Sequence, residues 1–137
     1  MTEGQNKLNK LYRHLSSDEI SDYAGNKKNY ENTSRVFLKQ LLGDISKLLL
    51  KHGITVAESK ISYSHGGPEE AGDPSLYFMM DNGGGIAVRI ISLKGSNPLV
   101  YRSITSLRDH VGSVSKWVPA TKPYESIVAE IADFALV

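Results

Sequence analysis

Residues 75–92 read S-L-Y-F-M-M-D-N-G-G-G-I-A-V-R-I-I-S, two apolar runs rich in β-formers around Asp81-Asn82-Gly83-Gly84-Gly85. Glycine reaches positive φ at no steric cost, and Asn and Asp tolerate it better than other residues. A cluster of these residues between two such runs predicts a β-hairpin. The three glycines also raise a phosphate-loop reading. That loop needs Gly-Lys-Ser/Thr opening a helix, because backbone amides and the lysine hold the phosphates together. Here Ile86-Ala87-Val88 follows, which reads as a strand. The glycines are read as a turn.

Working outward, Ser34 to His52 reads as a helix. Phe37, Leu38, Leu41, Leu42, Ile45, Leu48 and Leu49 recur every three to four residues. Thr33 or Ser34 suits its N-cap, and Gly53 suits a left-handed C-cap. Gly43 lies mid-helix, a position expected to mark close packing. Ile54 to Ser64 reads as a strand whose alternation breaks at Glu58-Ser59, the mark of a bulge. A Gly/Pro loop over 66–74 leads into the hairpin, and Leu99 to Thr105 forms a further strand. Residues 106–118 fit either a short helix, with Ser106 and Asp109 as a capping pair, or a strand or loop. A last helix starts near Pro123, burying Ile127, Val128, Ile131, Phe134 and Ala135. The expected architecture is α+β: about four antiparallel strands packed against a long helix and a C-terminal helix.

The 137 residues suit one domain over 34–137, preceded by an arm over 1–33. In the arm, Leu8, Leu11, Tyr12 and Leu15 have helical spacing, so a short helix over 4–15 is expected. Residues 24–29, A-G-N-K-K-N, read as a loop. The arm either docks on the core or orders on a partner.

Composition excludes several chemistries. The chain has no cysteine, so disulfides, thiolate metal sites and cysteine nucleophiles are out. No apolar run is long enough to span a bilayer, and residues 1–8 lack a signal-peptide core. Cytoplasmic residence is the expectation. The histidines, His14, His52, His65 and His110, show no metal-ligand spacing, and no cofactor motif is present. No nucleophile elbow occurs. Ser64-His65 beside Gly66-Gly67 is the nearest approach to a hydrolytic site, and it reads more simply as a polar loop.

Charge is more telling in its distribution than in its total of +1. Residues 89–122 hold six Lys/Arg against one acid, a block of Arg89, Lys94, Arg102, Arg108, Lys116 and Lys122. Residues 54–88 hold one base against five acids. Cationic strands with aromatic neighbours can hold nucleic acid through phosphate contact and base stacking. The same residues can simply decorate a solvent face. The candidate contact set is Arg89, Lys94, Tyr101, Arg102, Arg108 and Trp117, for a protein, nucleoprotein or nucleic-acid partner. Leu76, Phe78 and Met80 alternate with Tyr77 and Met79, so both sheet faces carry apolar groups. The second face is either covered by the N-terminal arm or used for binding.

The helix end Leu50-Lys51-His52-Gly53, the strand after it and the Gly-rich hairpin resemble small accessory proteins of phages and plasmids, including inhibitors of host defence systems such as CRISPR. The resemblance spans about residues 34–105. It implies a non-enzymatic binder acting on a protein or nucleoprotein. The readings to be separated are therefore an interaction protein, a nucleic-acid binder using the same basic surface, and a hydrolase near His65.

Overall fold

The computed structural model describes residues 2–15, 24–63, 74–90, 98–109 and 114–136. Among the described residues, three helices, α1 (Glu3–Leu15), α2 (Ala24–Leu50) and α3 (Tyr124–Ala135), accompany five strands, β1 (Val56–Tyr63), β2 (Pro74–Met80), β3 (Gly85–Ile90), β4 (Leu99–Ile104) and β5 (Lys116–Val118). The strands form one antiparallel meander in the order β1-β2-β3-β4-β5, which leaves β1 and β5 as edges. The α+β reading holds, with a fifth, three-residue strand added to the expected four.

The hairpin that decides the fold closes as its glycines require. Gly83 N donates to Met80 O at 3.1 Å, and Met80 N donates to Gly84 O at 2.7 Å. Gly83 has φ +89°, the left-handed position that completes a three-residue hairpin loop. Asn82 Oδ1 accepts from Gly84 N at 2.9 Å, so the loop satisfies its own amide. A Cβ at Gly85 would lie 2.4 Å from Met79 Sδ and 2.8 Å from Ile104 Cγ1, so this position admits only glycine without rearrangement.

Alternation along the strands divides the sheet into two faces. Leu76, Phe78, Met80, Ile86, Val88, Ile90, Leu99, Tyr101 and Val118 point to the helices and join Leu8, Leu11, Phe37, Leu38, Leu41, Ile45 and Leu49 in one core. Phe78 and Phe37 are fully buried; a side chain of this size contributes roughly 1.5–3 kcal/mol through burial. The expected bulge in β1 is present, with the register shifting between Val56 and Glu58.

α2 ends in a Schellman cap. Ile54 N donates to Leu49 O, Gly53 N donates to Leu50 O, and Gly53 sits at φ +75°. The helix begins ten residues before the expected Ser34, so 24–29 is helix rather than loop. The division expected after residue 33 falls inside α2. α1 docks on the core through Leu8 and Leu11. Gly4 makes that docking possible, because a Cβ there would stand 2.0 Å from the Tyr124 ring. Gly43, by contrast, faces open space, which corrects the expectation of close packing there.

Polar contacts tie the three helices together. Thr2 Oγ1 accepts from Gln5 N at 3.2 Å, capping α1. α3 has no side-chain cap of its own at Pro123. Gln5 supplies one from α1, its Oε1 accepting from Tyr124 N at 2.7 Å. The Tyr124 hydroxyl donates to Asp44 Oδ2 at 2.5 Å, and Gln40 Nε2 donates to the same oxygen at 3.0 Å. Lys7 Nζ in turn donates to Gln40 Oε1 at 2.8 Å.

Candidate functional site

The register fixes which candidate residues share a face. Paired residues in adjacent antiparallel strands point the same way. Arg89 pairs with Val100 and Val100 with Trp117, giving one row across β3, β4 and β5 on the face away from the helices. Ala87 pairs with Arg102 and with Tyr77, a second row on that face. Tyr101 pairs with Val88 and Lys116 on the helix side.

Two of the six candidates therefore leave the contact set. Tyr101 is 4% exposed and packs edge-on against Phe134, with ring centroids 5.1 Å apart. Its hydroxyl donates to Glu130 Oε2 at 2.8 Å, and Glu130 also pairs with Lys122. Burial, followed by the Glu130 hydrogen bond and charge, drives the Tyr101 pKa upward. Burial pushes Glu130 up as well, but the bonds from Lys122 and Tyr101 and the Lys122 charge outweigh it, leaving the carboxyl below its ordinary value. Tyr101 and Lys122 are thus parts of the packing between α3 and the sheet.

Arg102 lies on the open face but is turned inward, with 15% of its side chain exposed. Its Nη2 donates to the Asp109 carbonyl at 2.6 Å, and its Nη1 lies 3.8 Å from Asp109 Oδ1. Asp109 Oδ2 accepts from Thr105 N and Oγ1 at 3.0 and 3.3 Å. Asp109 thus braces a turn over 105–109 rather than capping a helix. The turn lays Leu107 against the cluster of Tyr77, Ala87 and Ile104, on which Met79 also packs. Among the described residues this turn, and not α1, packs on the second face, so of the two readings of that face cover by α1 is set aside.

Trp117, Arg89 and Arg108 remain. Trp117 is 58% exposed and Val114 79% exposed, and every described residue from 114 to 117 is exposed. Arg89 is exposed in the same row as Trp117, two strand spacings or roughly 9–10 Å away. Arg108 is exposed at the tip of the 105–109 turn. It lines a groove of about 780 Å³ between that turn, β1 and the hairpin, with Glu58, Lys60 and Asp81 as the other charges. Among the described residues two acids face two bases there, so these side chains favour no sign of ligand. Lys60 is partly committed, its Nζ lying 5.3 Å from the Tyr77 ring centroid.

Lys94, His65 and His110 lie outside the described residues. His52 is exposed beyond the C-terminal turn of α2. Among the described residues, no group of three His, Asp or Glu side chains is placed to hold a metal ion. No helix among them is long and apolar enough to cross a membrane.

The sequence left β5 as one of several readings of 106–118 and gave no reading of the Asp44–Tyr124–Gln40 cluster. An acid at the centre of an apolar helical stretch, Gly43-Asp44-Ile45, was the available signal for the second. No family model, curated protein or solved structure matches this chain.

Proposed function

We propose that this chain is a small non-enzymatic interaction protein that binds a protein or nucleoprotein target through the open sheet face at its β5 edge. Trp117 is the anchor, Arg89 supplies charge in the same row, and Arg108 adds charge farther across the same face, toward β1. The observation that carries this reading is the 58% exposure of Trp117 on an edge strand. Short edge strands and lysines such as Lys116 are ordinary guards against aggregation. A large exposed aromatic is the opposite of a guard. Trp and Arg are the residues most enriched among those that dominate binding energy at protein interfaces. The resemblance to inhibitors from mobile elements makes the expected target a component of a host defence system.

A nucleic-acid surface is the less favoured reading, because Tyr101 packs on the helix side and leaves Trp117 as the remaining aromatic of the candidate set beside the arginines. Affinity capture from the native host by wild type, Trp117→Ala and the Arg89→Glu/Arg108→Glu double variant tests the proposal. The expected result is one partner retained by wild type and lost from both variants, with circular dichroism unchanged. Retention by both variants rejects this surface. Binding of bare oligonucleotides that falls steeply with salt would transfer the assignment to nucleic acid.

A further inference from the structure

The two edges of the sheet differ. β5 spans three residues, whereas β1 spans eight, Val56–Tyr63. Among the described residues no strand pairs with the outer edge of β1. Such an edge presents a row of amides and carbonyls that a further strand can complete. Ala57, Glu58 and Ser59 are exposed there, and Lys60 is half-buried. Register with β2 fixes the faces. Glu58 pairs with Met79 and Lys60 with Tyr77, on the open face, while Ser59 between them pairs with Phe78, on the helix side. Glu58 and Lys60 both line the groove beside the 105–109 turn, and the Lys60 ammonium lies 5.3 Å from the Tyr77 ring centroid. Two opposite charges thus stand on one face of an open edge, two residues apart.

Charges on an edge strand ordinarily keep other strands away. Glu58-Ser59-Lys60 makes an exception for one partner, the same strand run in the opposite direction. In an antiparallel pair, residues directly opposite each other turn their backbone groups the same way. Two identical strands are therefore centred on a residue, not between two. Centred on Ser59, the Glu58 of each copy stands opposite the Lys60 of the other, giving two opposite-charge pairs with Cβ atoms roughly 5 Å apart. A step to either side, onto Glu58 or Lys60, sets like charges opposite each other. Centred on Ile61, Lys60 meets Ser62 and forms no ion pair across the strands. The charges select the Ser59 register.

We propose that the β1 edge docks a second copy of this chain, antiparallel, about a two-fold axis that is perpendicular to the sheet and passes between the two Ser59 residues. The two sheets join into one, and the helix layers of both copies lie on the same side. The bulge between Val56 and Glu58 ends the regular ladder on that side. A short ladder buries less surface than a standard stable interface, so the dimer is weak and forms reversibly with concentration. β5 lies at the opposite edge of the sheet, so the dimer leaves Trp117 open and does not rest on the partner surface proposed above.

Sedimentation equilibrium of the full chain, from micromolar to millimolar concentration, tests the assignment. The mean mass of wild type should rise from monomer toward dimer. Glu58→Lys and Lys60→Glu each create two like-charge pairs in the Ser59 register, and each should weaken self-association at least about tenfold. Mixed in equal amounts, the two variants present only opposite charges to each other. A heterodimer should then form with an affinity within about threefold of wild type. That recovery also shows that both variants are folded. Wild type that stays monomeric at millimolar concentration, single variants that associate as wild type does, or a mixture no tighter than its parts would each overturn the proposal. So would loss of self-association in Trp117→Ala, which would place the contact at β5.

Discussion

Tyr101 and Arg102 are neighbours in one strand, yet they belong to different regions of the molecule. Tyr101 enters the core between the sheet and α3, while Arg102 lies on the far side of the sheet beneath the 105–109 turn. The two faces differ in kind. The helix side is one continuous apolar cluster including Phe37 and Phe78. The open side has a small cluster around Tyr77, a braced arginine, and then exposed Arg89 and Trp117. The difference indicates that the helix side contributes most of the stability, leaving residues at the β5 edge available for contact.

The sharpest way to break this comparison is to truncate matched aromatics on the two faces. Phe78→Ala should cost about 3–5 kcal/mol in urea denaturation, as a large side chain is removed from a full core. Tyr77→Ala, one residue away on the open face, should cost less, about 1–3 kcal/mol, because its cluster is small. A reversed order would refute the division. Gly4→Ala should come next, at about 1–3 kcal/mol, because the new methyl must displace the Tyr124 ring. Its amide exchange should rise in α1 before it rises in the sheet.

The helix junction gives a pH test. Asp44 and Glu130 are held below their ordinary values of 3.8 and 4.5 when folded. Their contribution is complete above those values and is lost as pH falls through the depressed folded ones. Tyr101 and Tyr124 are raised above 10.0, Tyr124 by burial first and then by the Asp44 bond and the Asp44 and Glu125 charges. Their contribution is complete below pH 10 and is lost as pH rises further. Stability should therefore be level through the neutral range and fall at both extremes. Tyr124→Phe should cost about 0.5–1.5 kcal/mol at neutral pH, the worth of one hydrogen bond, and flatten both falls. A smaller effect, of opposite sign, is expected from Gly43→Ala, which fills open space on α2 and should stabilise by up to about 1 kcal/mol.

What the sequence made legible follows the strength of local signals. Asp81 to Gly85 could be read directly, because a turn needs residues that tolerate positive φ. The apolar stripe from Phe37 to Leu49 and the stop at Gly53 were equally plain. The first turns of α2 were not, since A-G-N-K-K-N carries no apolar period and resembles a loop. β5 is three residues long, too short for any period, and its place depends on pairing with β4. The division of the contact set between the two faces was hidden for the same reason. Alternation separates Tyr101 from Arg102, but only the register joins Arg89 to Trp117 across Val100. Asp109 offered a helix cap in the sequence, whereas the turn at 105–109 uses it to hold Thr105 and Arg102.

The smallest stability effect belongs to the residue with the largest assigned role. Trp117→Ala should change stability by no more than about 0.5 kcal/mol, as expected for an exposed side chain. Trp117 is also the chain's one tryptophan, so its fluorescence reports on the β5 edge alone. The most direct test is to record that emission, and its quenching by iodide, while the captured partner is added. The free chain should give a solvent-exposed spectrum that shifts to the blue and loses its quenching as the complex forms. A complex that forms while the emission and quenching stay unchanged would contradict it.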